Sequence, residues 1–250
     1  MKNHPVFSLV YDDARIAVVD KSSGIAVSPD RWDPERERLD KLVAEFLKIP
    51  KIYTVHRIDK ETSGLVIFAK DSATHKTLSL AFENRFVKKR YIAVVNGRPS
   101  WKEISCELPL IPNGNKQHLT IIDKFRGKKS TTAFRLLCSA GNYGVLEALP
   151  ETGRTHQIRV HLASLGHPVA CDELYGTGKP IFLSSFKRGW RGDPHEERPL
   201  LSRLGLHAAE LVLPDYTGKE NAEAIAAGLE LKAPLPRDMA ALIKQMEKAS

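Results

Sequence analysis

The residues best suited to chemistry stand together near residue 56. His56, Arg57 and Asp59 lie between two apolar stretches, and a Thr-Ser-Gly run follows them. A carboxylate can attack carbon or stabilise a cationic sugar. A nearby arginine lowers the pKa of a carboxyl and orients it, which keeps it ionised where water is partly excluded. The stretch therefore predicts a site built around an ionised Asp59; the alternative is that Asp59 only forms an Asx turn.

Two later stretches carry further candidates. Tyr91 stands in VKKRYIAVV, a run otherwise typical of a sheet, and Arg159 stands in TGRTHQIRVH. A tyrosine ring can stack on a base and its hydroxyl can help to move a proton, although an isolated strand tyrosine can also belong to the core. Arg154 precedes a predicted short helix, where it could instead hold a phosphate. Lys89 belongs to a basic run that suits phosphate contacts, although such runs are usually solvated faces.

In this order, HRIDKETSG, VKKRY and TGRTHQIRVH resemble the RluA-type pseudouridine synthases, which isomerise a uridine within RNA. The resemblance covers most of the chain, from VVDKSSGIAVSP to LHAAELVL. Ile58 stands where a leucine is more usual, and Cys171 stands where a glycine is expected, before an Asp-x-x-Tyr-Gly run. The resemblance implies the pseudouridine synthase fold. Because the catalytic motif arrives by residue 56, it also implies a catalytic domain alone, without the S4 RNA-binding module.

The resemblance also implies roles for single residues. Asp59 is the expected nucleophile, with Tyr91 and Arg159 as its catalytic partners. Arg57 is expected to displace the target nucleotide, and His56 to order the loop by hydrogen bonds. The other expected site residues shape the turn, line the pocket or contact RNA: Thr62, Ser63, Gly64, Leu206, His207, Lys89 and Arg154. For His207, a packed histidine is an equal alternative.

The reaction itself limits what the site needs. Conversion of uridine to pseudouridine breaks the N1–C1′ bond, rotates the base and rejoins it through C5, so that nothing is oxidised and no group is donated. We therefore expect no cofactor. His156 and His161 lie five residues apart and do not share a helical face, so no metal is expected. Attack at C6 of the base and attack at C1′ of the sugar both remain open.

The composition is that of an ordinary globular protein with a basic surplus. The chain has 250 residues, of which 42% are apolar and 27% charged, and its formal net charge is +8. Such a surplus favours polyanionic partners. The expected partner is RNA, a stem-loop of ribosomal or transfer RNA, with no membrane and no obligate protein partner. No apolar run approaches a membrane span, and three widely spaced cysteines suit a reducing cytosol, so a cytoplasmic location is expected.

Three other function classes fit less well. His-Arg-x-Asp resembles a protein kinase motif, but the glycine-rich loop, the downstream asparagine and the Asp-Phe-Gly run of a kinase are missing. A metal-dependent nuclease would need carboxylates or histidines at ligand spacing. A catalytically silent RNA-binding protein is disfavoured because Asp59, Tyr91 and Arg159 are all present.

The first half of the chain predicts short strands and two helices. Strands are expected within residues 6–28, including one at GIAVSP, and a helix is expected over 36–48. A turn at Asp59–Gly64 leads into the strand LVIFA. Asp71 or Ser72 can cap a helix that runs to about Asn84, and Asn96-Gly97 predicts a hairpin turn after the next strand.

The second half is mostly β in pattern. TTAFRLL, YGVLEAL and LHAAELVL are expected strands, with a turn signal at Gly141-Asn142 between the first two. Thr155 is expected to cap a short helix. Residues 178–199 predict an exposed insertion and residues 237–248 a C-terminal helix. We expect a single α+β catalytic domain over residues 1–250, with a mixed, mainly antiparallel sheet and flanking helices. The basic, turn-rich stretches 112–130 and 178–199 are candidate RNA-gripping elements.

Overall fold

A computed structural model describes residues 5–29, 37–112, 119–216 and 228–249. Its helices and strands follow one another in this order: β1 (Phe7–Asp12), β2 (Ile16–Lys21), α1 (Leu39–Phe46), β3 (Tyr53–Thr54), β4 (Ser63–Ala69), α2 (Ser72–Glu83), β5 (Lys88–Asn96), β6 (Glu103–Cys106), β7 (Leu110–Pro112), β8 (Thr120–Ile122), β9 (Thr132–Ala140), β10 (Tyr143–Pro150), α3 (Gln157–Ser164), β11 (Leu206–Leu213), β12 (Leu229–Lys232) and α4 (Arg237–Ala249).

The chain divides into two compact units. The first unit comprises Met1–Lys89 and Ala208–Pro234, and the second comprises Arg90–His207 and Leu235–Ser250. None of the helices in the described ranges is both long and apolar enough to cross a membrane.

The first unit is a sheet with α2 packed on it. Its strands follow the order β1-β2-β4-β11, with β3 paired to β4 and β12 paired to β11. Every residue of β4 is buried, which explains why Leu65–Ala69 is an uninterrupted apolar run instead of an alternating one. Helix α2 begins where Asp71 accepts a hydrogen bond from the Thr74 N–H, which confirms the predicted cap. The core combines residues from β2, β4, α2, β11 and β12.

The second unit is a sheet in the order β5-β10-β9-β6 with α3 against it. Strands β9 and β10 are joined by the predicted turn at Gly141-Asn142 and form a hairpin, whose paired residues run from Tyr143 opposite Ala140 to Pro150 opposite Thr132. Helix α4 packs on β9 and buries Met239, Leu242 and Met246, one face of the helix. The strand pairs within both units are antiparallel, and the α+β class is confirmed.

Three local predictions are wrong. GIAVSP is not a strand; its Ala26 makes one parallel bridge, to Arg38. The Asn96-Gly97 turn does not join a hairpin, because β5 pairs with β10 and β6 pairs with β9. Thr155 does not cap α3.

Residue His156 occupies the N-cap position of α3, with a left-handed backbone (φ +53°) and no capping bond from its side chain.

Candidate functional site

The turn that carries Asp59 is held by its backbone carbonyls. The Asp59 carbonyl accepts a hydrogen bond from the Thr62 N–H at 3.1 Å. The Lys60 carbonyl accepts one from the Gly24 N–H at 2.9 Å, and the Glu61 carbonyl accepts one from the Ser23 hydroxyl at 2.7 Å. Because three successive carbonyls are bonded, the backbone direction at Asp59 is set by the β2 turn as well as by its own neighbours.

Lys21 is a member of this arrangement that the sequence reasoning missed. Its side chain is fully buried, and its ammonium donates to the carbonyls of Ser22, Ile25 and Lys60 at 2.9, 3.0 and 2.9 Å. Lysine is almost never fully buried unless it is paired. A lysine two residues after the apolar run IAVV, in the same strand, was the available signal. Lys21 ties the residue after Asp59 to the first strand pair.

Burial alternates around the candidate nucleophile. Arg57 is exposed, Ile58 is buried and Asp59 is half-buried. Ile58 thus anchors the segment while its two polar neighbours stay accessible. On the other side of the turn, Thr62 and Ser63 are buried. Gly64 has φ +113°, and a Cβ there would lie 2.2 Å from the Ala208 carbonyl oxygen, so this position requires glycine.

His56 serves the loop as a neutral hydrogen-bond acceptor. Its Nε2 accepts the Ile67 N–H at 3.1 Å, and its ring stacks on Phe82 with centroids 4.6 Å apart. Burial, assisted by the positive charge of Lys89, lowers the pKa of His56 from 6.5 to about 3. This geometry fits the expected ordering role.

The neutral state of His56 predicts a pH dependence of stability. Between pH 6.5 and about 3, the unfolded chain binds a proton on this histidine that the folded chain does not bind. Stability therefore falls as the pH falls below 6.5, by up to about 1.4 kcal/mol per pH unit. In urea titrations at pH 7.5 and 5.0, wild-type protein should lose on the order of 1–2 kcal/mol more than His56→Gln, which keeps an acceptor but does not titrate. Equal losses in the two proteins would contradict this account of His56.

Tyr91 lies in β5 of the second unit. It stands opposite Ala148 of β10, is half-buried, and packs against the core that contains Ala93, Phe134 and Leu206.

Lys89 lies two residues before Tyr91, in the first unit, and is half-buried. Burial lowers the pKa of Lys89 to about 8, and the positive charge of Arg85 lowers it in the same direction.

The start of α3 is built around Gln157, another residue that the sequence reasoning missed. Its amide oxygen accepts from the Arg154 N–H at 3.0 Å and the Thr152 hydroxyl at 2.7 Å. Its amide nitrogen donates to the Thr131 carbonyl and the Thr132 hydroxyl at 3.0 and 2.9 Å. Gln157 therefore ties the turn before α3 to the start of β9, while the Arg154 side chain remains exposed.

Arg159 forms a buried two-point ion pair with Asp172. Its Nε and Nη2 each donate to one carboxylate oxygen at 2.8 Å, and the two residues are 4% and 0% exposed. Burial raises the pKa of Asp172, but the hydrogen bonds and charge of Arg159, with the N–H groups of Leu174 and Tyr175, outweigh it and hold the pKa below its usual value. From the sequence, Arg159 was expected to be a catalytic partner of Asp59. Asp172 was not identified as the ion-pair partner of Arg159, although the Asp-x-x-Tyr-Gly run begins at Asp172.

Tyr175 covers the same guanidinium. Its ring centroid lies 5.2 Å from the Arg159 Cζ, within reach of a cation–π interaction. Its hydroxyl accepts the Thr120 N–H at 2.7 Å and is 2.9 Å from Nδ1 of His156. The ring thus links β8, the left-handed N-cap of α3 and the Arg159–Asp172 pair. Cys171, which replaces the expected glycine, has φ +58°, a backbone conformation that glycine adopts without strain.

The remaining predicted residues are placed as follows. Leu206 and His207 are buried in the second unit, at 3% and 0% exposure. His161 is a packed histidine: its Nδ1 is 3.0 Å from the Thr132 hydroxyl, and its Nε2 is 3.1 Å from the Leu108 carbonyl oxygen. The first unit carries Arg57 and Asp59, and the second carries Tyr91 and Arg159.

Comparison with known proteins identifies the family. The family described as RNA pseudouridylate synthase matches residues 15–164. A ribosomal large subunit pseudouridine synthase D from Zymomonas mobilis is 30% identical over 247 residues, which cover 95% of this chain and 72% of that protein. A dual-specificity RNA pseudouridine synthase RluA from Vibrio vulnificus is 32% identical, over 83% of this chain and 77% of that one.

A solved structure agrees with these sequence matches. Human RNA pseudouridylate synthase domain containing 1 is 27% identical, with a TM-score of 0.68 over 94% of this chain and 87% of that one. The fold, the order of the three motifs and the sequence matches point to one conclusion: this chain belongs to the RNA pseudouridylate synthase family and is an enzyme that isomerises uridine in RNA.

Proposed function

We propose that this enzyme converts specific uridines in structured ribosomal or transfer RNA to pseudouridine, with the Asp59 carboxylate as nucleophile and without a cofactor. Tyr91 and Arg159 are its catalytic partners in this proposal. Arg57 displaces the target nucleotide, and Thr62, Ser63, Gly64, Leu206 and His207 form the pocket. Because the substrate is cellular RNA, we also propose a cytoplasmic location.

One observation carries the proposal. Asp59 stands half-buried in a turn whose carbonyls at residues 59, 60 and 61 are all hydrogen-bonded, one of them by the buried ammonium of Lys21. An attacking group gains most from a backbone that needs no rearrangement when the substrate arrives. An Asx turn alone would not require a fully buried lysine beside it.

The names of two relatives bear on the choice of substrate RNA. One is named for the large ribosomal subunit and the other for dual specificity on RNA. Unmodified ribosomal and transfer RNA transcripts labelled with 5-³H-uridine should therefore be tested side by side. Because the proposed reaction replaces the hydrogen at C5, tritium should pass to water, at the same rate with and without EDTA. RNA binding without tritium release from any transcript would favour a silent RNA-binding protein instead.

A conservative change at Tyr91 separates its two possible roles. Tyr91→Phe keeps the ring that can stack on a base but removes the hydroxyl that can move a proton. General acid–base groups contribute about 10²–10⁴-fold to turnover. We expect tritium release to fall by about 100-fold while RNA affinity stays within twofold of wild type. Unchanged turnover would rule out a role for the hydroxyl, and a matching loss of affinity would assign the effect to binding.

The stretch 112–130 is proposed to grip RNA near the target; residues 113–118 lie outside the described residues. Strands β7 and β8 pair, and a turn follows in which Asp123 accepts the N–H groups of Phe125 and Arg126 at 2.9 Å each. Phe125 is 99% exposed, and Lys124, Lys128 and Lys129 beside it are exposed as well. A fully exposed aromatic ring among cations suits an unpaired base and its phosphates.

A further inference from the structure

The insertion predicted over residues 178–199, called the excursion below, is anchored by two buried residues near its start. Ile181 is fully buried: its N–H donates to the Leu201 carbonyl and its carbonyl accepts the Leu200 N–H, both at 2.8 Å. Phe186 is buried as well and lies so close to the β9–β10 turn that a Cβ on Gly141 would come within 2.7 Å of the Phe186 Cβ. The excursion is therefore a built extension of the second unit rather than a loose connection.

Between these anchors and the end of the excursion lies a basic turn, Lys187–Arg191, with the sequence KRGWR. The Trp190 N–H donates to the Lys187 carbonyl at 3.3 Å, and Gly189 has φ +67°. Lys187, Arg188 and Arg191 are exposed, and none of them forms a salt bridge within the described part of the chain. Three positive charges are thus presented on one short turn.

Two nearby carboxylates accept hydrogen bonds from backbone N–H groups instead of pairing with the cations of the basic turn. Glu197 accepts the Ser184 N–H at 2.8 Å, and Asp193 accepts the His195 N–H at 2.8 Å. Both acids hold the shape of the excursion and make no ion pair with the basic turn. Glu196, the third acid of the excursion, also makes no ion pair with the basic turn within the described residues. A group of exposed cations without such pairs suits an external polyanion.

Trp190 adds an aromatic surface to these charges. It is half-buried, and a Cβ on Gly192 would lie 2.3 Å from its Cζ2, so the indole rests against the Gly192 backbone. A ring that is already positioned loses little freedom when a base stacks on it. Aromatic side chains interleaved with cations are typical of surfaces that bind single-stranded nucleic acid.

We infer that the basic turn Lys187–Arg191 is a second RNA contact surface. Lys187, Arg188 and Arg191 bind phosphates of the substrate RNA away from the target uridine, and Trp190 stacks on one unpaired base. The inference rests on the proposed function only in taking structured RNA as the substrate; it concerns affinity and target choice rather than the reacting atoms.

The salt dependence of binding tests the phosphate contacts. An unmodified transfer RNA transcript labelled with fluorescein is the probe, titrated with protein between 50 and 300 mM KCl. Each lost phosphate contact should reduce the slope of log K against log salt by about 0.7–0.9. The triple variant Lys187→Ala, Arg188→Ala, Arg191→Ala should therefore reduce the slope by about 2 and weaken binding at least about 10-fold at 100 mM KCl.

A matched control removes equal charge from elsewhere in the second unit. Arg98, Lys102 and Lys244 are also exposed and also form no salt bridge within the described residues. The control variant Arg98→Ala, Lys102→Ala, Lys244→Ala should keep the wild-type slope. Equal slopes for the two triple variants would overturn the inference. Binding of wild-type protein to phosphatidylserine vesicles that only the basic-turn variant loses, with an unchanged RNA slope, would also overturn it and assign the surface to lipid.

A substitution at Trp190 tests the stacking contact separately. Trp190→Ala should weaken binding about 10-fold, whereas Trp190→Phe should recover most of that loss because it keeps a stacking face. Equal losses in the two variants would overturn the stacking part. Tritium release by wild-type protein, measured on the same preparations, keeps the two proposals apart. Absent release would count against the proposed function, whereas normal release with an unchanged salt slope would count against this inference alone.

Discussion

Asp59→Asn should abolish tritium release, with a loss of about 10⁴-fold or more, as happens when an essential carboxylate is removed from a catalytic group. An amide has the size of the carboxylate but is neither an effective nucleophile nor an anion that could stabilise a cationic sugar. The turn should survive, because asparagine has similar turn preferences and the carbonyl bonds to Lys21, Ser23 and Thr62 involve only backbone atoms of residues 59–61. Binding of an unmodified transfer RNA transcript should therefore stay close to wild type.

The same chemical change at another aspartate is the control for Asp59. Asp71 caps α2, and asparagine caps helices about as well as aspartate, so Asp71→Asn should leave both folding and turnover close to wild type. Release by Asp59→Asn at the wild-type rate would refute the assignment of the nucleophile. Loss of RNA binding together with release would assign Asp59 to binding instead.

Asp172→Asn should produce the largest loss of stability among single changes at the site. The change removes the carboxylate that holds both Nε and Nη2 of the Arg159 guanidinium, which is buried at 4% exposure. Breaking a buried ion pair by removing one partner costs about 3–5 kcal/mol. Urea unfolding at pH 7.5 should therefore show a midpoint well below that of wild type. The surviving folded protein should also lose turnover, because we propose that Arg159 orients Asp59.

A second arginine–aspartate pair provides the control for Asp172. Arg203 and Asp238 have the same two-point geometry, with Nε and Nη2 each 2.7 Å from a carboxylate oxygen, but their side chains are 22% and 35% exposed. Solvent-exposed pairs contribute about 0–1 kcal/mol, so Asp238→Asn should cost much less. Equal losses of stability in the two variants would contradict the account that burial sets the cost.

The ion pair between Arg159 and Asp172 also predicts how the stability difference between wild type and Asp172→Asn depends on pH. The folded state holds the pKa of Asp172 below the ordinary value of 3.8, so the unfolded chain binds this proton first as the pH falls. The stabilisation is fully present above pH 3.8 and decreases as the pH falls through the lowered pKa. The difference in stability between wild type and Asp172→Asn should therefore be constant from pH 5 to 8 and narrow below pH 4.

Local sequence signals determined much of the fold and the family. The Asp71 cap, the apolar run of β4 and the Gly141-Asn142 hairpin are each specified by residues that lie close together in the chain, and each appears in the structure as expected. The three motifs identified the family and the candidate residues because their chemistry depends on residue type. His56 was expected to order the loop by hydrogen bonds, and its Nε2 accepts the Ile67 N–H.

Only the tertiary structure decided which residues hold the candidate groups. Asp172 meets Arg159 from 13 positions away, and Lys21 reaches the Lys60 carbonyl from 39 positions away. The pairing of β5 with β10 replaces the local hairpin expected at Asn96. Turn, cap and periodicity signals act over a few residues, whereas these contacts depend on which distant segments share a sheet or a core. The sequence thus indicates the candidate groups, and the fold determines which side chains contact them.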